Sequence, residues 1–161
     1  MTKVEPAGGG EFQDPLENYD PKVYEDPLEK ALAEGKVTDI ESKPYVEIEP
    51  EASVYRALQV LAGLKTASLL VVDQGRLVGV FTERDALEKV VERYDQVKDM
   101  PVREVMTADP VVVYETDPPA AALSAIAIAG YRHVPVLGMN GRVVGMISPR
   151  RVFSYIEQRL G

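Results

Sequence analysis

The chain has 161 residues, 45% of them apolar, and a formal net charge of −8. That length supplies one compact domain or two small ones packed together, and the negative charge argues against nonspecific nucleic-acid binding, which needs a basic surface to displace counterions. With no Cys and a single His, disulfides, thiolate metal sites and His-rich metal sites are excluded, so no metal is expected; a small anionic ligand is not excluded, because a local Arg cluster can sit within an acidic protein.

No apolar run approaches the ~20 residues of a membrane span, and the acidic, Gly-rich N-terminus lacks a signal peptide's apolar stretch. The expectation is a cytoplasmic protein with neither membrane nor nucleic-acid polymer as partner. Residues 1–25 read as a flexible acidic tail, with Gly8-Gly9-Gly10 and breakers at Pro6, Pro15 and Pro21. Residues 26–36 read as an N-terminal helix: Asp26 can cap, Pro27 fits the first turn, and Gly35 follows as a stop. Leu28 and Leu32 lie one turn apart and could dock on the body.

A first unit spans 37–100. Tyr45–Ile48 is a short strand. Ser53 is an N-cap, and Val54, Ala57, Leu58 and Leu61 follow helical spacing. Ser68–Val72 is a buried strand by its continuous apolar run. Asp73-Gln74-Gly75 turns the chain into a second strand, Arg76–Phe81. Thr82 can cap a helix from Glu83 to about Val97, with Leu87, Val90, Val91 and Tyr94 on one face. Glu88, Lys89, Glu92 and Arg93 read as the exposed face of that helix, with i,i+4 pairing.

A second unit, 101–161, follows the same order. Met106 reads as a core anchor and Val111–Val113 as a strand. Pro118–Ala129 is an Ala-rich helix, so something packs close to it. Val134–Leu137 and Arg142–Ile147 are paired strands around Met139-Asn140-Gly141. Ser148-Pro149 starts the last helix, which ends near Leu160. Each unit is β-α-β-β-α, so the fold class is α+β.

The two units repeat one another. Val37-Thr38-Asp39-Ile40 recurs as Val102-Arg103-Glu104-Val105, at a spacing of 65. Gly75-Arg76-Leu77-Val78-Gly79-Val80-Phe81-Thr82 recurs as Gly141-Arg142-Val143-Val144-Gly145-Met146-Ile147-Ser148, at a spacing of 66. An internal repeat governs the fold, and two related halves that meet face to face create paired clefts.

Three motifs carry a family likeness: Val102-x-x-Val105-Met106-Thr107, Tyr131-Arg132-His133-Val134-Pro135-Val136, and Gly79-Val80-Phe81-Thr82-Glu83-Arg84-Asp85. In this order, and in two copies over roughly residues 37–160, they resemble the CBS domain, and the pair resembles a Bateman module. The resemblance implies two CBS units related by pseudo-twofold symmetry and packed sheet to sheet. It implies clefts that take AMP, ADP, ATP or S-adenosylmethionine, a regulatory role exerted on an unidentified partner protein, and pairing into a flat homodimer.

The chemistry fits that implication. Thr82 sits where a strand ends and a helix begins, and the free amides of a first turn favour an anion. Arg84 can add charge-assisted bonds. Asp85, about one turn on, can accept from both hydroxyls of a ribose. By the family pattern the other wall comes from Thr107, the Val111 backbone, Tyr131, Arg132 and His133. The second copy departs from the pattern: Gly145-Met146-Ile147-Ser148 is intact, but Arg150 and Arg151 follow, and Arg151 stands where Asp85 stands. This degenerate cleft would be formed with Ser42, Val46, Thr66 and Ala67, and would be empty or hold an anion near Arg150 and Arg151.

Plainer readings stand beside these. Thr82 and Ser148 suit simple helix caps, Asp85 a first-turn acid favoured by the dipole, His133 a structural histidine, Tyr131 a packing residue, and Arg150 and Arg151 a solvated helix face or a pair with Glu157 or another acid. An enzyme is not expected: there is no Cys nucleophile, and the lone His has no evident Ser and acid partners. The rival function is a ligand-independent dimerisation or protein-interaction module with both clefts degenerate. No cofactor is expected.

Overall fold

A computed structural model describes residues 23–127, 130 and 132–160. Most of the expected tail, and Tyr131, lie outside the described residues. Helix α1 (Pro27–Glu34) starts as the sequence predicts: the Asp26 side chain accepts from Glu29 N at 2.7 Å. A short 3-10 turn, Val37–Asp39, follows.

The first sheet begins with β1 (Glu47–Ile48), separated by α2 (Val54–Leu64) from the hairpin β2 (Ser68–Asp73) and β3 (Arg76–Thr82). Ser53 caps α2 by accepting from Arg56 N at 3.0 Å. Gln74 and Gly75 take φ values of 49° and 82°, the positive pair that a tight two-residue hairpin demands. The sheet order is β1-β2-β3-β4, where β4 (Thr107–Ala108) is an unexpected two-residue strand antiparallel to β3, with Val80 opposite Thr107. The second sheet, β5-β6-β7, holds β5 (Val113–Tyr114), β6 (Val134–Leu137) and β7 (Val143–Ile147).

After Thr82 the expected single helix is interrupted. It runs as α3 (Glu83–Asp85), a π-helical turn (Ala86–Val90), a 3-10 turn (Val91–Arg93) and α4 (Tyr94–Val97). The widened turn shifts the buried stripe to Ala86, Val90 and Val97, leaving Leu87 69% and Val91 59% exposed. The expected apolar face of Leu87, Val90, Val91 and Tyr94 is therefore split. The second unit closes with α5 (Pro119–Ala127) and α6 (Pro149–Glu157). Its Ala-rich helix has the close neighbours its composition calls for, namely α1 and the Val37–Asp39 turn.

Three apolar clusters hold the molecule. One lies under the first sheet, around Val54, Leu69, Phe81 and Val90. A second lies under the other sheet, around Val113, Ala122, Val134 and Ile147. The third joins the two sheets through Leu70, Val72, Val80 and Met146, so the halves pack sheet to sheet. The opening segments are exchanged. Val37 and Ile40 are buried in the second unit's core, and Val102 and Val105 in the first unit's. Val37 N donates to Asp117 O and Val102 N to Ala52 O, each at 2.7 Å. Both members of one bond lie 65 residues from their counterparts in the other.

Candidate ligand clefts

The first cleft is organised by one carboxylate. At the end of β3, the Thr82 hydroxyl accepts from Asp85 N at 3.1 Å, while Thr82 N donates to Asp85 Oδ2 at 3.0 Å. This reciprocal capping box fixes Asp85 at the start of the helix. The Thr82 hydroxyl also donates to Oδ2, at 3.1 Å. The other oxygen, Oδ1, accepts from Thr107 Oγ1 at 2.9 Å and from Lys89 Nζ at 2.9 Å. Asp85 is only 5% exposed. Such burial of a charged carboxylate is tolerable only with its acceptor sites filled.

Above it opens a cavity of about 400 Å³, within the range of small-molecule sites. Of the residues expected here, the structure brings together Thr82, Arg84, Asp85, Thr107, Arg132 and His133. Val111 is not on the wall; it is exposed, and the adjacent Pro110 lines the cavity instead. Ala67, expected in the other cleft, lines this one, because its carbonyl accepts from Glu83 N at 3.0 Å and ties β2 to the helix start. Glu88 and Lys89, read as solvated helix face, also line it.

The charges are mixed. Arg84 is paired with Glu88 at 2.9 Å on the exposed rim. His133 is half-buried, and burial first, then the Arg132 charge, hold its pKa below the ordinary histidine value against the opposing pull of Glu83. Its imidazole is therefore neutral at neutral pH. Among the described residues no group of three or more His, Asp or Glu is placed to hold a metal ion.

The family model for the CBS domain matches twice in tandem, over residues 37–92 and 102–158. The chain belongs to the CBS domain family. It is 32% identical over 116 residues to an uncharacterized 17.7 kDa protein of Acidianus ambivalens, spanning 71% of this chain and 69% of that one. It spans only 23% of a CBS domain-containing protein of Arabidopsis thaliana that it also matches. Among solved structures it is similar to a CBS domain protein from Pyrobaculum aerophilum complexed with AMP, with a TM-score of 0.66 and 25% identity over 76% of this chain and 98% of that one. It is equally similar to CBSX2 in complex with AMP, with a TM-score of 0.67 and 25% identity over 76% and 96% of the two chains.

The second copy of the motif differs at the position of Asp85. Ser148 caps α6 by accepting from Arg151 N at 3.4 Å, as Thr82 caps its own helix. The Arg151 guanidinium then donates from Nη1 to Met146 O at 2.7 Å and from Nη2 to Pro44 O at 2.6 Å. Arg151 is thus a strut between β7 and the segment before β1. Two carbonyls within reach capture its planar fork. Arg150 is exposed. Ser42 O accepts from Met146 N at 2.8 Å, and its side chain lies against Gly145, where a Cβ would collide with it. Thr66 Oγ1 donates to Ser68 O at 3.2 Å. Val46 packs on the first core and its carbonyl accepts from Leu70 N.

Truncating Arg151 to Ala removes both bonds. The expected cost is about 1–2 kcal/mol, the lower part of the range for charge-assisted bonds because one of the two is solvent-exposed. Urea unfolding of the variant measures it; an unchanged midpoint would mean the strut contributes nothing.

Proposed function

We propose that this CBS pair is a regulatory sensor of an adenosyl nucleotide, bound in the cleft at Thr82 and Asp85. The observation that carries the reading is Asp85: a buried carboxylate on the wall of a 400 Å³ cavity, suited to the hydroxyls of a ribose. Arg132 and His133 on the cavity wall suit phosphates. Ala67, Val80 and Pro110 offer apolar contact to a base. AMP is the first ligand to test, since two similar solved structures hold it; ADP, ATP and S-adenosylmethionine are the alternatives. The module acts without a reaction of its own, passing occupancy to a regulated protein or to a second copy in the cytoplasm.

A second reading is a ligand-independent dimerisation module. The observation that favours it is the exposure of Leu87, Val91 and Phe153, at 69%, 59% and 61%. Titration calorimetry with AMP, ATP, NADH and S-adenosylmethionine separates the two. Saturable binding of one AMP per chain supports the sensor, and no binding by any adenosyl compound supports the rival.

The same titration has a pH signature. A phosphate beside His133 favours the imidazolium, so its pKa rises on binding. Between the free and bound values, AMP binding takes up protons and tightens as pH falls. Repeating the titration at about pH 6.5 in buffers of different ionisation enthalpy measures the uptake. His133→Gln is expected to lose this uptake; uptake equal in both proteins would take His133 off the phosphate.

A further inference from the structure

A carboxylate has about four acceptor sites, two on each oxygen. In Asp85 all four are taken. Oδ2 accepts from Thr82 N and Thr82 Oγ1, and Oδ1 accepts from Thr107 Oγ1 and Lys89 Nζ. A ribose that donates two hydroxyls to this carboxylate must therefore displace two donors already there.

The two pairs are not equally displaceable. Both Oδ2 donors come from Thr82, one of them the backbone N–H of the capping box, so displacing that pair costs the helix its cap. The Oδ1 pair sits on side chains that can turn away: Thr107 is exposed, and the Lys89 side chain is 38% exposed. Lys89 also has a second acceptor in reach, Met106 O at 3.4 Å, so its ammonium can leave Asp85 without losing every protein partner.

We propose that Lys89 is the specificity-determining residue of this cleft. It holds Oδ1 in the empty protein, and a ligand must exchange it, together with Thr107, for two vicinal hydroxyls. This inference rests on the nucleotide reading above and deepens it. A vicinal diol replaces both donors and leaves no acceptor site unfilled. A 2′-deoxy sugar replaces one only, and the neutral Thr107 hydroxyl yields before the ammonium does. Lys89 therefore penalises the binding of the ribonucleotide, and removing it benefits the diol more than the deoxy sugar. Because Thr107 lies on β4, the exchange also frees one contact between the helix start and a strand of the second unit.

The test is the ratio of affinities for AMP and 2′-deoxy-AMP, measured by titration calorimetry in wild type, Lys89→Met and Lys89→Arg. Any loss of general attraction to the phosphate cancels in that ratio. In Lys89→Met the ratio is expected to rise about fivefold in favour of AMP, the amount by which the charge-assisted Lys89 bond exceeds the neutral Thr107 bond that the deoxy sugar is then spared displacing. Lys89→Arg, which keeps a cation in reach, is expected to stay within about twofold of wild type. A ratio in Lys89→Met that is unchanged or lower overturns the inference alone. Absence of binding by AMP, ADP, ATP and S-adenosylmethionine alike, in wild type and in Lys89→Met, overturns the nucleotide reading, and this inference with it; if another nucleotide binds in place of AMP, the ratio is taken between it and its 2′-deoxy form.

Discussion

Replacing Asp85 with Ala is expected to weaken AMP binding by about tenfold or more: two ribose bonds to a charged acceptor are lost, offset in part by the Thr107 and Lys89 bonds that the wild type gives up on binding. The same change has a second, separable consequence. Asp85 accepts four bonds in the empty protein, so truncation strands Thr82 N, leaves Lys89 Nζ with Met106 O and abolishes the reciprocal cap. A cap of this kind contributes about 1 kcal/mol to stability. Asp85→Asn keeps a carbonyl oxygen for Thr82 N but loses the charge, and separates the two roles. Calorimetric titration reads the first and urea unfolding the second. Affinity retained within a few-fold beside lowered stability would reduce Asp85 to a helix cap.

The largest stability effect is expected at Phe81. Its side chain is fully buried, in the cluster that holds Leu69, Val71 and Val90. Phe81→Ala removes an aromatic ring from a close-packed interior and leaves a cavity, at a cost of about 3–5 kcal/mol. Phe81 pairs with Leu69 across the hairpin and immediately precedes Thr82, so the loss falls on the strand that presents the cap to the cleft. Urea unfolding with far-UV circular dichroism measures it; a loss below about 1 kcal/mol would mean the site collapses around the gap.

Much of this architecture could be read from residue types alone. Asp26, Ser53, Thr82 and Ser148 each cap the helix that the pattern assigns to them, because a short oxygen-bearing side chain before an apolar stripe has few other uses. The hairpin at Gly75 was legible from its turn residues for the same reason. What escaped the sequence depends on contacts between distant segments or on a departure from regular period. Counting at 3.6 residues per turn puts Leu87 and Val91 on one face with Val90 and Tyr94, and the π turn at Ala86–Val90 breaks that count.

The buried partnership of Lys89 was hidden by its setting. It lies i,i+4 from Asp85, a spacing that ordinarily marks a solvated ion pair. Arg151 advertises a reversed charge at the Asp85 position, but only the fold reveals that Met146 O and Pro44 O receive its guanidinium. The apolar residues Val37, Ile40, Val102 and Val105 announce their own burial. They carry no sign of which unit buries them.

That exchange of opening segments bears on how the protein is made. As the chain leaves the ribosome, residues 37–100 emerge before Val102 and Val105, which fill the first core. Val37 and Ile40 emerge earlier still, yet their partners Val113, Ala122, Val134 and Ile147 come last. The first half therefore waits with its interior unfinished, and an early apolar segment stays uncovered until almost the whole chain is out. Closing so long a loop is an entropic cost met before any contact rewards it. The two halves are duplicates in sequence, but they ripen as one folding unit.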